Sequence, residues 1–162
     1  MCVACLGEIA RAHSQFEVAI PAYEKALLLF RQVGDVASAS NCTWGLGEIA
    51  RMRSQLDAAQ SAYEQALEGY RSSRSVAGEA NCIQGLGDIT RARGDAAGAR
   101  RQYETALALY ARIPEPYSIG LAHSRLAELA EGTNRAAHIA AARAARTSID
   151  RPDLVARLGE LG

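Results

Sequence analysis

The sequence predicts an all-α solenoid of antiparallel helix pairs. Three observations carry this. "LGEIAR" at Leu6–Arg11 returns at Leu46–Arg51, and "LGDITR" follows at Leu86–Arg91, each forty residues after the last. Alanine, leucine, glutamate and arginine are abundant, which favours helix, and no run of β-branched residues suggests a strand. Apolar residues recur at helical spacing inside every forty-residue row. A fixed period of this length marks stacked units whose contacts repeat from one to the next.

The rows run 1–40, 41–80 and 81–120. Gly7, Gly47 and Gly87 align, as do Ala19, Ala59 and Ala99, Tyr23, Tyr63 and Tyr103, and Ala26, Ala66 and Ala106. A degenerate unit follows over about 121–152. It keeps "LAELA" at Leu126–Ala130 but has Arg143 where the tyrosine would stand. A partial fifth helix is expected over 153–162, with "LGEL" at Leu158–Leu161. The whole chain, 1–162, reads as one repeat domain.

Each row reads as two helices. In the second row the first runs from about Val36 to Arg53, with Asp35 as N-cap and Ser75 as its equivalent in the third row. Glu115 stands at that place in the fourth, followed by Pro116 at the favoured first helical position. Cys42, Leu46, Ile49 and Ala50 share one face. "SQLD" and "RGDA" supply the turns, Gly94 and Asp95 giving a break and a new cap. The second helix runs from about Asp57 to Arg71, with Ala59, Tyr63, Ala66, Leu67 and Tyr70 in one stripe. Gly34 fits a helix C-terminal cap. Glycine inside a helix costs about 1 kcal/mol relative to alanine. Its return at Gly47 and Gly87 therefore implies a close helix approach, with the tyrosine filling the space that small residues leave.

Composition excludes several functions. Eighteen basic and 18 acidic side chains leave a formal net charge of zero, so no broad field attracts a nucleic-acid backbone or an anionic membrane. No apolar stretch approaches the ~20 residues that span a bilayer. The N-terminus lacks a basic-then-apolar signal pattern, so a soluble cytoplasmic protein is expected. Cys2 and Cys5 form a C-x-x-C, but Cys2, Cys42 and Cys82 are one repeated position, and no second pair completes a zinc site. Small buried helix residues, reduced and metal-free, are the expectation, with no cofactor. "GLGEIA" mimics a dinucleotide loop but lies inside a helix. Lys25, the only lysine, sits mid-helix, so no P-loop is present. His13, His123 and His138 fall on different helices without a triad pattern and read as surface residues. The chain is not read as an enzyme.

The pattern of small and large positions resembles the tetratricopeptide repeat. Leu46-Gly47, Ala59, Tyr63 and Ala66 match its leucine-glycine pair, alanine, aromatic and second alanine, and Gly94 its turn glycine. The period is forty, as in the longer-helix subclass, and the usual closing proline is absent, with Arg71 and Ala111 in its place. The resemblance implies a right-handed superhelix whose first helices line a concave face, and a peptide- or protein-binding scaffold. The residues expected in that groove are Glu8 and Arg11, then Asn41, Trp44, Glu48 and Arg51, then Asn81, Gln84, Asp88 and Arg91. An acidic row (Glu8, Glu48, Asp88, Glu128) runs beside a basic row (Arg11, Arg51, Arg91). These rows form a polar track for a peptide, or satisfy each other three residues apart. Asn41 and Asn81 pair with a peptide backbone or with a neighbouring repeat. On the first reading, removing them leaves stability unchanged. Trp44 anchors an apolar side chain or belongs to the core. Two other roles stay open: a sensor arm of a signalling ATPase, or self-association through apolar repeat ends at Val3/Leu6 and Leu158/Leu161.

Overall fold

The computed structural model describes residues 3–113 and 115–148. Cys2 and the expected fifth helix, with Leu158 and Leu161, lie outside the described residues. Eight helices occur among the described residues, with no strand: α1 Val3–Ala12, α2 Phe16–Val33, α3 Val36–Met52, α4 Leu56–Ser72, α5 Val76–Ala92, α6 Ala96–Tyr110, α7 Pro116–Leu129 and α8 Gly132–Thr147. Consecutive helices pack together along the whole chain. α1 also touches α3, and α3 touches α5, so first helices adjoin in an inner layer. The result is a solenoid of helix pairs.

The caps explain the period. The Asp35 carboxylate accepts from Ser38 N at 3.0 Å, and Asp95 does the same for Gly98 N at 2.7 Å. The Ser75 hydroxyl accepts from Gly78 N at 3.3 Å. Each satisfies an N–H that the first helical turn leaves open. Glu115 makes no such side-chain bond, and Pro116 starts α7 in its place. Gly34 adopts φ 74° beyond α2, with Asp35 N bonded to Phe30 O at 2.9 Å, which closes that helix.

Tyrosine is the keystone of each junction. Tyr23 is 2% exposed, and Tyr63 and Tyr103 are fully buried. The Tyr63 ring lies between two glycines. A Cβ on Gly47, in the same helix pair, would come within 3.0 Å of it, and one on Gly85, in the next pair, within 2.8 Å. Tyr23 sits likewise between Gly7 and Gly45, where a Cβ on Gly45 would come within 2.5 Å of the ring. The close approach inferred at Gly47 is therefore present, and the tighter one, at Gly45 and Gly85, joins successive pairs. Cys5 occupies the same repeat position in α1 and is exposed.

The fourth pair departs from this scheme. Arg143, expected at the tyrosine position, is exposed. Ala142 and Arg146 are the buried residues of α8. Arg146 packs beneath Gly120 and donates to Ser124 Oγ at 3.0 Å. The unit is shortened, so its register against α7 shifts and the bulky side chain comes from a later turn.

Candidate functional site

The inner helices α1, α3, α5 and α7 enclose a cavity of about 340 Å³. Arg11, Trp44, Glu48, Arg51, Asn81, Gln84 and Asp88 line it, all of them expected in the groove. Gly85, Tyr117, Ser118, Leu121 and Arg125 complete the wall. Three expected residues lie off it. Glu8 is exposed on α1, Asn41 is exposed near the start of α3, and Arg91 pairs with Glu128.

Tyrosine hydroxyls reach this face from the second helices. Tyr63 donates to Glu48, and Arg51 Nε donates to the Tyr63 oxygen at 3.2 Å. Tyr103 donates to Asp88 Oδ1 at 2.7 Å. In the first pair Arg11 Nε donates to Tyr23 at 3.4 Å, and its guanidinium also stacks over the Trp44 ring, 5.3 Å from the centroid.

The charged rows pair within and between repeats. Arg51 bonds Glu48 at 2.8 Å and approaches Asp88, on the next inner helix, at 3.7 Å. Arg125 on α7 holds Asp88 at 2.9 Å and approaches Glu128 at 3.7 Å. The chain of charges thus runs across α3, α5 and α7. Burial pushes the Glu48 carboxyl up, but the Arg51 bond and charge, the Tyr63 hydroxyl and the Arg11 charge outweigh it and hold it below its ordinary value. Both cavity carboxylates are consumed by these partners. Three guanidiniums face two carboxylates, which leaves the lining donor-rich and net positive by one.

The asparagines are held by tyrosines of their own helix pairs. Tyr70 donates to Asn41 Oδ1 at 2.5 Å, and Tyr110 to Asn81 Oδ1 at 2.6 Å. Tyr70 is 3% exposed and Tyr110 fully buried. Removing either asparagine would strand a buried hydroxyl, at a cost of about 1–3 kcal/mol. This corrects the expectation that stability would not change. It also fixes each amide with its oxygen inward, so its NH₂ is the group left for the groove. The sequence carries a signal for this pairing: the first row has Met1 and Phe30 where the later rows have asparagine and tyrosine.

Trp44 belongs to both surfaces. Its ring packs against the clusters around Tyr63 and Tyr70 while it lines the cavity. Its Nε1 is buried without a hydrogen-bond partner among the described residues, and so is the Gln84 side-chain oxygen at the same repeat position. In the fourth unit the equivalent Ser124 is satisfied by Gly120 and Arg146. Arg125 was missed because it stands where Gly45 and Gly85 do, in a row that otherwise looks decayed. Carrying the groove positions forward another forty residues reaches Leu121 but none of Tyr117, Ser118 and Arg125.

Residues 1–72 match the family model of the tetratricopeptide repeat. That match supports a tetratricopeptide-repeat reading of residues 1–72, and 81–120 repeats the same positions in register. No curated protein matches the chain. Among solved structures, the crystal structure of BtubC (BKLC) from P. vanneervenii is similar, with a TM-score of 0.74 at 18% identity. The likeness covers 91% of this chain and 63% of that one, so this chain spans less than two thirds of that protein's length. At this identity the likeness shows the fold. Repeats of this kind generally mediate protein–protein interaction. No described helix is long and apolar enough to cross a membrane.

Proposed function

We propose that the chain is a non-catalytic protein-binding scaffold of the forty-residue tetratricopeptide subclass, and that a peptide segment of a cytoplasmic partner enters the inner-helix cavity. The observation that carries this reading is the pair of unpartnered buried polar atoms, Trp44 Nε1 and Gln84 Oε1, in the wall of a cavity otherwise rich in satisfied charge. A volume of about 340 Å³ lies at the small end of ligand pockets and admits one or two side chains. The lining selects mainly for acceptors, since Arg11, the Asn81 NH₂ and the outer faces of Arg51 and Arg125 all donate, while Gln84 Oε1 takes one donor such as a peptide N–H. An extended backbone with carbonyls or a carboxylate fits that set.

The test is peptide selection on the purified chain, followed by titration of the selected sequences. Arg11→Ala with Gln84→Ala removes groove contacts, and a melt of the variant checks that the fold survives losing the Arg11 bond to Tyr23 and stack on Trp44. Binding should weaken tenfold or more, because one charge-assisted bond of about 1.5–3 kcal/mol is lost. Glu64→Ala, exposed on α4 and away from the cavity, should change nothing. Full binding by the double variant would refute the reading.

A second reading rests on the α1–α2 end face. Leu6 and Ile9 are 36% and 51% exposed, whereas Ile49 and Ile89, at the Ile9 position of the next rows, are 2% and 1% exposed. A further helix pair would cover these side chains as each pair covers the next. Concentration-dependent association in sedimentation, abolished by Ile9→Lys, would favour self-assembly.

A further inference from the structure

His123 and His138 read from the sequence as separate surface residues, yet the fold brings them together. His123 is on α7 and His138 on α8, and their Nδ1 atoms are 3.1 Å apart. The ring centroids are 5.3 Å apart, tilted by 39°. Both rings are half-buried. At this distance one neutral imidazole donates its Nδ1–H to the lone pair of the other.

Proton counting decides what this contact does. A neutral pair shares one proton between the facing nitrogens and forms one bond. A single added proton leaves that bond in place, now charge-assisted. A second added proton puts N–H on both facing nitrogens. The bond is then lost, and two positive charges face each other across a half-buried contact.

The surroundings do nothing to relieve that charge. Among the described residues no carboxylate forms an ion pair with either imidazole. On α7, Arg125 and Glu128 are turned into the chain with Asp88 and Arg91. On α8, Arg146 brings a further cation to Ser124, the residue next to His123, and Arg135 and Arg143 are exposed. On α6, Arg100 donates to the Leu129 carbonyl, and Arg101 and Glu104 are exposed. Glu115 and Glu131 stand at the starts of α7 and α8, about two turns from the pair along each helix.

α7 has two working faces. Tyr117, Ser118, Leu121 and Arg125 wall the cavity, while His123 and Gly120 meet α8. We propose that the His123–His138 contact is a proton-operated latch: it holds α7 against α8 at neutral pH, and double protonation in mild acid loosens the last helix pair and with it the α7 wall of the cavity. The latch itself rests on the imidazole geometry; its consequence for ligand binding rests on the scaffold reading above.

The sign follows from the environment. Burial, then the His138 charge, holds His123 below its ordinary value of 6.5. The folded chain therefore binds fewer protons than the unfolded one in this window. The contribution of His123 is complete above about pH 6.5 and falls as pH drops from there through its folded-state value.

Hydrogen exchange of the free chain, in EDTA so that no metal bridges the rings, tests the latch without any ligand. Between pH 7.5 and 5.0, after correction for intrinsic rates, α7–α8 amides should lose protection severalfold. α3–α6 amides should not change. His138→Gln should abolish the difference. Should that variant fail to fold, the wild-type imidazole resonances decide: a coupled pair titrates in two separated steps. Unchanged α7–α8 protection, an equal change in His138→Gln, or two independent single-step titrations would overturn the latch. Groove binding is a separate readout. If exchange shows the latch and a selected peptide binds equally at both pH values, the latch stands and its coupling to the cavity fails.

Discussion

Glycine 45 shows how one missing atom sets the geometry of a junction. A Cβ there would lie 2.5 Å from the Tyr23 ring, closer than carbon atoms approach. The ring is 2% exposed and wedged between helices, so it cannot yield. Helix propensity alone would make Gly45→Ala stabilising by about 1 kcal/mol. Overpacking opposes it by about 1–3 kcal/mol and wins at this distance. Gly45→Ala is therefore expected to lower the melting temperature. Cys5→Ala, at the same repeat position but exposed, should leave it unchanged. Equal effects at the two positions would mean that the glycine is set by something other than the preceding tyrosine. The sequence showed this glycine only as a repeated letter. Periodicity says that a position matters, and only the packed ring says which neighbour it serves.

The turns between helices carry a strain that the glycines of other rows relieve. Gly94 has φ 90°, and its equivalents Ser14 and Ser54 have φ 57° and 58°. Gly34 has φ 74°, and Arg74, its counterpart, has φ 58°. A side chain in this left-handed region costs about 1–2 kcal/mol, of which the larger unfolded-state entropy of glycine gives back about 0.4–1 kcal/mol. Ser54→Gly and Arg74→Gly should each raise stability by about 0.5–1 kcal/mol in chemical denaturation. A loss would show that the side chains compensate. Helix limits and caps were legible because the turns repeat with their own chemistry: Asp35, Ser75 and Asp95 all cap as the pattern implies. The α7–α8 pair was less legible. Its unit is shortened, so Arg143 falls on the tyrosine position in the alignment while Arg146 takes the buried place in space.

At the scale of the molecule, stacking turns a one-dimensional repeat into a shared wall. Seven of the residues expected in the groove line one cavity because first helices at a fixed register place the same positions side by side. The links between repeats were harder to read. Arg51 and Asp88 are 37 residues apart, as are Asp88 and Arg125, and such pairs depend on how far each helix pair turns against the last. The histidine contact was illegible for a similar reason: 15 residues across a turn bring two rings together only for one exact length of loop and helix. On the proposed function a partner's segment occupies the inner face. This occupancy is tested most directly by hydrogen exchange of the chain with and without a selected peptide at neutral pH. Added protection is expected on α3, α5 and α7, around Trp44–Arg51, Asn81–Asp88 and Tyr117–Arg125. Protection confined to α2, α4 and α6, or to the α1–α2 end face, would contradict it.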